Sequence, residues 1–171
     1  FIGIYTDTGG FKYRGASSRT FQIAAKLSET IPSITDLVTR MENSNTPAFL
    51  KFEATMLNSI EVSPSGKFAL ASASLETLSP NFPLTEIRAS EISSFMMTVA
   101  EWDVVASAVE VEPNRVKVSF RSRDMEKNDV SKIAVALGGG GHKAAAGAII
   151  SASFEDAKKM VVQKIKELYN L

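Results

Sequence analysis

Four consecutive glycines, Gly138–Gly141, are the sequence feature that most limits how this chain can fold. Glycine loses more conformational freedom on folding than any other residue, at a cost of about 0.5–1 kcal/mol per position. A helix stop needs only one glycine, so four of them indicate another role. We interpret the run as a turn whose bare backbone N–H groups bind an anionic ligand, with His142 and Lys143 adding donors beside it.

Two familiar phosphate-binding patterns do not fit this run. The Walker A pattern fails because its second glycine and its Lys-Ser/Thr pair are missing from the required positions. A GxGxxA match at Gly139, Gly141 and Ala144 would need a preceding strand, whereas the segment before it has the apolar spacing of a helix. The small residues Ala144–Gly147 would let the following strand pack close behind the glycines.

A predicted strand upstream places its cations on one face. Three apolar residues alternate toward the opposite face, which leaves the polar positions together: Arg115, Lys117, Ser119, Arg121 and Arg123. Such a face suits an anionic ligand. A merely solvated strand face explains the same pattern, and periodicity alone favours it slightly.

Composition excludes several classes of function. The chain has no cysteine, so it has no disulfide framework and no thiolate chemistry, and its single histidine is His142. No apolar run approaches the roughly 20 residues of a membrane span. Equal numbers of basic and acidic residues, 19 of each, argue against a broad electrostatic grip on long nucleic acid, although a local basic pocket remains compatible.

The pattern of elements predicts an α/β fold, with α+β as an alternative, in which helices cover a sheet. Residues 1–6 are predicted to form a buried strand, and polar residues 42–45 a boundary between parts 1–45 and 46–171. Four helix N-caps are predicted, at Ser33, Thr46, Asp129 and Ser153. A further helix would carry the apolar face Ile92, Phe95, Met96 and Val99, and strands 104–112 and 115–123 would form a hairpin.

Asp7 directly follows the predicted first strand, and Thr8 separates it from two glycines. Ligands of α/β sheets often lie at the carboxyl ends of strands, so Asp7 is a candidate metal ligand. Capping of a turn is the more economical explanation, because no second carboxylate or histidine lies near it in sequence.

Taken in order, three stretches resemble motifs of the DHH-type phosphoesterase family, in its oligoribonuclease and phosphoadenosine phosphatase branch. Gly138–Gly147 is similar to the GGGH-x-x-AAG signature of the DHH-associated C-terminal domain, and Val118–Ser122 to that domain's Ser-x-Arg-Ser strand. Thr6–Tyr13 resembles the last acidic motif of the catalytic domain.

This resemblance implies a metal-dependent phosphoesterase, usually with manganese or alternatively magnesium, that hydrolyses short oligonucleotides or 3′,5′-phosphoadenosine phosphate. Residues 1–45 would be a remnant of the catalytic domain with its linker, and residues 46–171 the nucleotide-binding domain. By motif, Asp7 would be a metal ligand. The substrate-binding residues would be Arg121, Ser122, Gly139, Gly140, Gly141 and His142.

The Asp-His-His motif that names the family is absent. We therefore expect the chain to be a cytoplasmic fragment that binds short RNA, DNA or nucleotide phosphates, retains no metal and hydrolyses nothing. A cyclic-dinucleotide phosphodiesterase of the same family and a stand-alone nucleotide-binding or single-strand-binding module are the alternatives. The sequence leaves a homodimer open.

Overall fold

The computed structural model describes residues 1–13, 15–78 and 82–170. The chain divides into two compact units, Phe1–Asn45 and Thr46–Leu171. Within the described ranges, no helix is both long enough and apolar enough to cross a membrane.

The first unit contains three helices: α1 (Ile2–Asp7), α2 (Ser18–Ser28) and α3 (Ile34–Glu42). The predicted strand over residues 1–6 is therefore wrong. A short apolar run does not distinguish a strand from a helix by periodicity. A strand needs a neighbouring strand for its backbone hydrogen bonds, and the described residues of this unit form none, whereas α1 satisfies its own backbone groups.

Aromatic side chains hold the first unit together. Phe11 packs against Phe1, Tyr5 and Phe21, with ring centroids 5.0–6.4 Å apart. The Tyr5 hydroxyl donates to a carboxylate oxygen of Glu42, and this hydrogen bond raises the pKa of Tyr5. Few residues are shielded from solvent: of those described in this unit, only Thr8 and Ala24 are buried.

The second unit is a six-stranded sheet covered by helices, so the predicted fold class is confirmed. The strands are β1 (Glu61–Val62), β2 (Phe68–Ala73), β3 (Val104–Glu112), β4 (Arg115–Ser122), β5 (Gly140–His142) and β6 (Ala145–Ile150). They lie in the order β1-β2-β3-β4-β6-β5, with only β2 and β3 parallel. The helices are α4 (Pro47–Asn58), α5 (Ala89–Met96), α6 (Val130–Ala136) and α7 (Phe154–Tyr169), with a 3₁₀ turn at Leu84–Glu86.

Each face of the sheet contributes to a separate apolar cluster. Val116, Val118 and Phe120 of β4 lie in the cluster that includes residues of α6 and α7. Ala69, Val105 and Val109 belong to the other cluster, which includes residues of α4 and α5. The predicted alternation of β4 is confirmed, and its polar residues lie on the α5 side.

Helix α5 ends earlier than its apolar spacing predicts. It stops at Met96, and Phe95, predicted to lie on the apolar face, is 52% exposed. Beyond the helix end, the guanidinium of Arg123, which follows β4, donates to the carbonyls of Met97 and Val99 at 2.7 Å and of Trp102 at 3.0 Å. These hydrogen bonds satisfy backbone carbonyls that have left the helix, so they stabilise the non-helical path of the chain after Met96.

Candidate nucleotide-binding site

The register of β4, β6 and β5 brings Arg121 and His142 into one row. Arg121 lies opposite Ala145, and Ala145 lies opposite His142. Residues directly opposite in antiparallel strands project to the same face, so both polar side chains emerge on the α5 side with only a methyl group between them. Two strand spacings separate their backbones by about 10 Å.

The neighbouring row consists of the smallest residues. Ser119 lies opposite Gly147, and Gly147 opposite Gly140. Together the two rows, Arg121–Ala145–His142 and Ser119–Gly147–Gly140, form a surface that we call the platform. Gly140 and His142 are exposed, Arg121, Ala145 and Gly147 are half-buried, and Ser119 is buried. The accessible part of the platform therefore extends from Arg121 across Ala145 and Gly147 to Gly140 and His142.

The glycines have two different roles in this geometry. A Cβ on Gly139 would lie 2.1 Å from the carbonyl oxygen of Gly147, and one on Gly141 would lie 2.6 Å from Cα of Ala146, so both are required for close backbone packing. Gly138 ends α6 with φ +81°. Gly140 differs from Gly139 and Gly141, because a Cβ there would meet nothing within 4 Å, and it differs from Gly138 in lying on β5. It is the glycine that leaves the platform open.

Hydrogen bonds to α5 and to the backbone of β4 orient the guanidinium of Arg121. Its Nε donates to Oγ of Ser94 on α5 at 3.2 Å, and its Nη1 donates to the carbonyl of Phe120 at 3.2 Å. The neighbouring residue Ser93 is buried and shares a 3.2 Å hydrogen bond with Ser119. Helix α5 thus forms a wall along the Arg121 side of the platform.

The other cations of the predicted basic face have separate roles. Arg115 pairs with Glu112 at 2.9 Å, and Arg123 binds the carbonyls that follow α5. Lys117 is exposed on the same face, two rows away from Arg121. The four cations therefore do not form one anion site.

Ser122 and Asp7 do not lie in the platform. The Ser122 side chain alternates to the opposite face of the sheet, opposite Val104, and its buried hydroxyl oxygen makes no hydrogen bond. Asp7 is the exposed last residue of α1 in the first unit. The predictions of substrate binding by Ser122 and metal binding by Asp7 stay predictions, whereas Arg121, Gly140 and His142 are brought together.

The described residues do not fit the two-metal site that the resemblance implies. They contain no group of three or more His, Cys, Asp or Glu side chains placed to hold a metal ion. A two-metal site requires several such ligands on a fixed scaffold.

Sequence reasoning missed Ser94. Ser90 and Ser94 are spaced i, i+4 on α5, but serines with this spacing also occur on solvated helix surfaces. The contact with Arg121 joins residues 27 positions apart, so only the packing of α5 on β4 reveals it.

Comparison with known proteins agrees with this architecture. Residues 84–170, just over half of the chain, match the DHHA1 domain family. The chain is 27% identical over 151 residues to a bifunctional oligoribonuclease and PAP phosphatase from Mycoplasma genitalium, a match covering 88% of this chain and 45% of that protein. A protein of the same description from Thermus thermophilus is 28% identical over 168 residues, covering 96% and 48%.

A solved structure has the same fold. An exopolyphosphatase-related protein from Bacteroides fragilis superposes with a TM-score of 0.84 at 20% identity, covering 98% of this chain and 48% of that one. The chain spans about half the length of the curated relatives it matches. It belongs to the DHHA1 domain family, and the resemblance to DHH-type phosphoesterases in their C-terminal region is confirmed.

Proposed function

We propose that residues 46–171 are the substrate-binding part of a metal-dependent phosphoesterase that acts on short oligoribonucleotides and phosphoadenosine phosphate. The observation that carries this proposal is the platform, where Arg121 and His142 face the same side across a floor of alanine and glycine. The relatives' descriptions as oligoribonuclease and PAP phosphatase support the substrate class. A cytoplasmic location belongs to the same proposal.

Each part of the platform has a defined task in binding. Arg121 donates charge-assisted hydrogen bonds to a terminal phosphate, and these are roughly twice as strong as neutral ones. Gly140 and Gly147 let the sugar or base approach the backbone, and His142 supplies a donor or a ring face at the far end. Because these contacts fix the nucleotide at one end, they determine where its phosphodiester bond lies.

Metal chemistry lies outside the described residues in this proposal. In a protein of the relatives' length, manganese or magnesium ions would be held by another segment. This chain's own contribution would be to bind and orient the nucleotide.

Binding is tested by thermal unfolding of the chain with four ligands: a mononucleotide, phosphoadenosine phosphate, a two-nucleotide RNA and a cyclic dinucleotide. We expect the two-nucleotide RNA and phosphoadenosine phosphate to stabilise it, by about 2.7 kcal/mol at 100 times Kd. Stabilisation by the cyclic dinucleotide alone would favour the alternative phosphodiesterase. Absence of any shift up to millimolar ligand would contradict the proposal.

Catalysis by the chain alone is a separate question. We expect no hydrolysis of a two-nucleotide RNA in the presence of Mn²⁺, because His142, the single histidine, lies on the platform and the described residues form no metal-binding group. Chromatographic detection of released mononucleotide is the measurement, with an active relative as positive control. Mn²⁺-dependent release that a chelator abolishes would show that this chain carries its own catalytic site.

A further inference from the structure

Ser94 connects the interior of α5 to the platform. Its Oγ donates to the carbonyl of Ser90, one helical turn earlier, at 2.7 Å. The same oxygen accepts the hydrogen bond from Nε of Arg121 at 3.2 Å. Both Ser94 and Arg121 are half-buried, so the hydrogen bond between them is partly shielded from competing water, whereas the bond from Ser94 to Ser90 is exposed.

The direction of these bonds matters. A hydroxyl has one proton, and the Ser90 carbonyl receives it, so the lone pairs of Ser94 Oγ remain for the arginine. The Nε–H bond lies on one edge of the planar guanidinium. Because Ser94 holds that edge, it restricts the orientation of the whole guanidinium plane. A phosphate needs two parallel N–H donors in a defined plane for bidentate binding, which a freely rotating arginine would provide only after losing rotamer freedom.

The contact is selective within α5. Ser93 is buried against Ser119, and the Ser90 side chain is exposed. Ser94 is the serine whose hydroxyl accepts the hydrogen bond from Nε of Arg121. Its Oγ thereby links α5 to the row of the platform that contains Arg121 and His142.

We propose that Ser94 is a positioning residue, whose hydroxyl holds the guanidinium of Arg121 in the orientation that receives the phosphate of the nucleotide. The inference rests on the proposed function. It extends that function by making ligand affinity depend on a helix residue outside the glycine and arginine motifs.

A double-mutant cycle on the full 171-residue chain tests the energetic link, with the two-nucleotide RNA 5′-pApA as probe and Kd as readout. We expect Ser94→Ala to raise Kd about two- to tenfold, less than the loss of Arg121 itself, because the Ser94 hydroxyl acts on the ligand only through the orientation of the arginine. Ser94→Thr keeps the hydroxyl and should restore affinity. Ser90→Ala, one turn away, is the matched control and should change Kd less than twofold. In an Arg121→Ala background, Ser94→Ala should have no further effect.

A second readout needs no ligand. The Nε–H signal of Arg121 in ¹H–¹⁵N spectra, assigned by its loss in Arg121→Lys, should exchange slowly with water in the unaltered chain. We expect faster exchange in Ser94→Ala and recovery in Ser94→Thr, whereas a purely structural role of Ser94 would alter melting temperature without this specific change.

The outcomes separate the inference from the function beneath it. If Arg121→Ala leaves Kd unchanged, the phosphate site of the proposed function is wrong. If Arg121→Ala weakens binding while Ser94→Ala leaves both Kd and the Nε–H exchange unchanged, the positioning role alone is overturned. A full, additive effect of Ser94→Ala in the Arg121→Ala background would also overturn it.

Discussion

Replacing Gly139 by alanine should unfold or severely destabilise the second unit. The new Cβ would lie 2.1 Å from the Gly147 carbonyl oxygen and 2.6 Å from Cα of Ala148, and both are backbone atoms that no side-chain rotation can move. Overpacking of this kind costs about 1–3 kcal/mol, and we expect the upper end or beyond because β6 itself must shift. Thermal unfolding should show a fall in melting temperature of roughly 10 °C.

Gly140→Ala is the control, because it makes the same chemical change one residue later. A Cβ at Gly140 meets nothing within 4 Å, so the melting temperature should change little. The added methyl group does, however, project onto the platform in the row of Gly147. Nucleotide affinity should therefore fall while the fold stays intact. Equal stability of the two variants would show that β5 does not approach β6 as described.

Replacing Arg121 by alanine should give the largest loss of nucleotide binding with a preserved fold. A hydrogen bond from a charged group contributes about 1.5–3 kcal/mol, so Kd for a two-nucleotide RNA should rise roughly ten- to a hundredfold. Calorimetric titration is the measurement. Arg121→Lys keeps the positive charge but lacks the planar, two-pronged donor geometry of arginine. Its Kd should therefore lie between that of the unaltered chain and that of Arg121→Ala.

Lys117→Ala distinguishes a local contact from general electrostatic attraction. It removes one positive charge from the same strand face, four residues from Arg121. Because Lys117 is exposed and away from the row that contains His142, we expect Kd to rise about threefold at most. Equal effects of Lys117→Ala and Arg121→Ala would indicate a diffuse basic surface in place of a phosphate site.

Local signals in the sequence located most of the second unit. Thr46, Asp129 and Ser153 cap the helices they were predicted to cap, and their side chains accept the expected backbone hydrogen bonds. The hairpin of β3 and β4 also lies where alternation predicted it. These elements depend on residues within a few positions of one another, which a sequence displays directly.

Features that depend on distant residues were predicted less well. The segment that follows α5 is held by Arg123, 27 positions beyond Met96, and helical periodicity contains no information about this contact. The motif resemblance assigned Arg121 and His142 to one substrate-binding site, but their common row depends on the register of β4, β6 and β5. Ser94 lacks any motif and emerges only from tertiary packing.

The crowded glycines also limit how the platform could acquire a preference for a different nucleotide. A Cβ would lie within 2.8 Å of backbone atoms at each of three positions, Gly139, Gly141 and Gly147. Enlarging any of them would therefore disrupt the sheet instead of changing only the ligand-binding surface. Gly140 is the platform glycine at which a side chain would meet no neighbouring atom, and positions on α5 beside the platform could also be varied. Directed evolution toward a different nucleotide should accumulate its tolerated changes there, and libraries restricted to those positions should contain the most folded members.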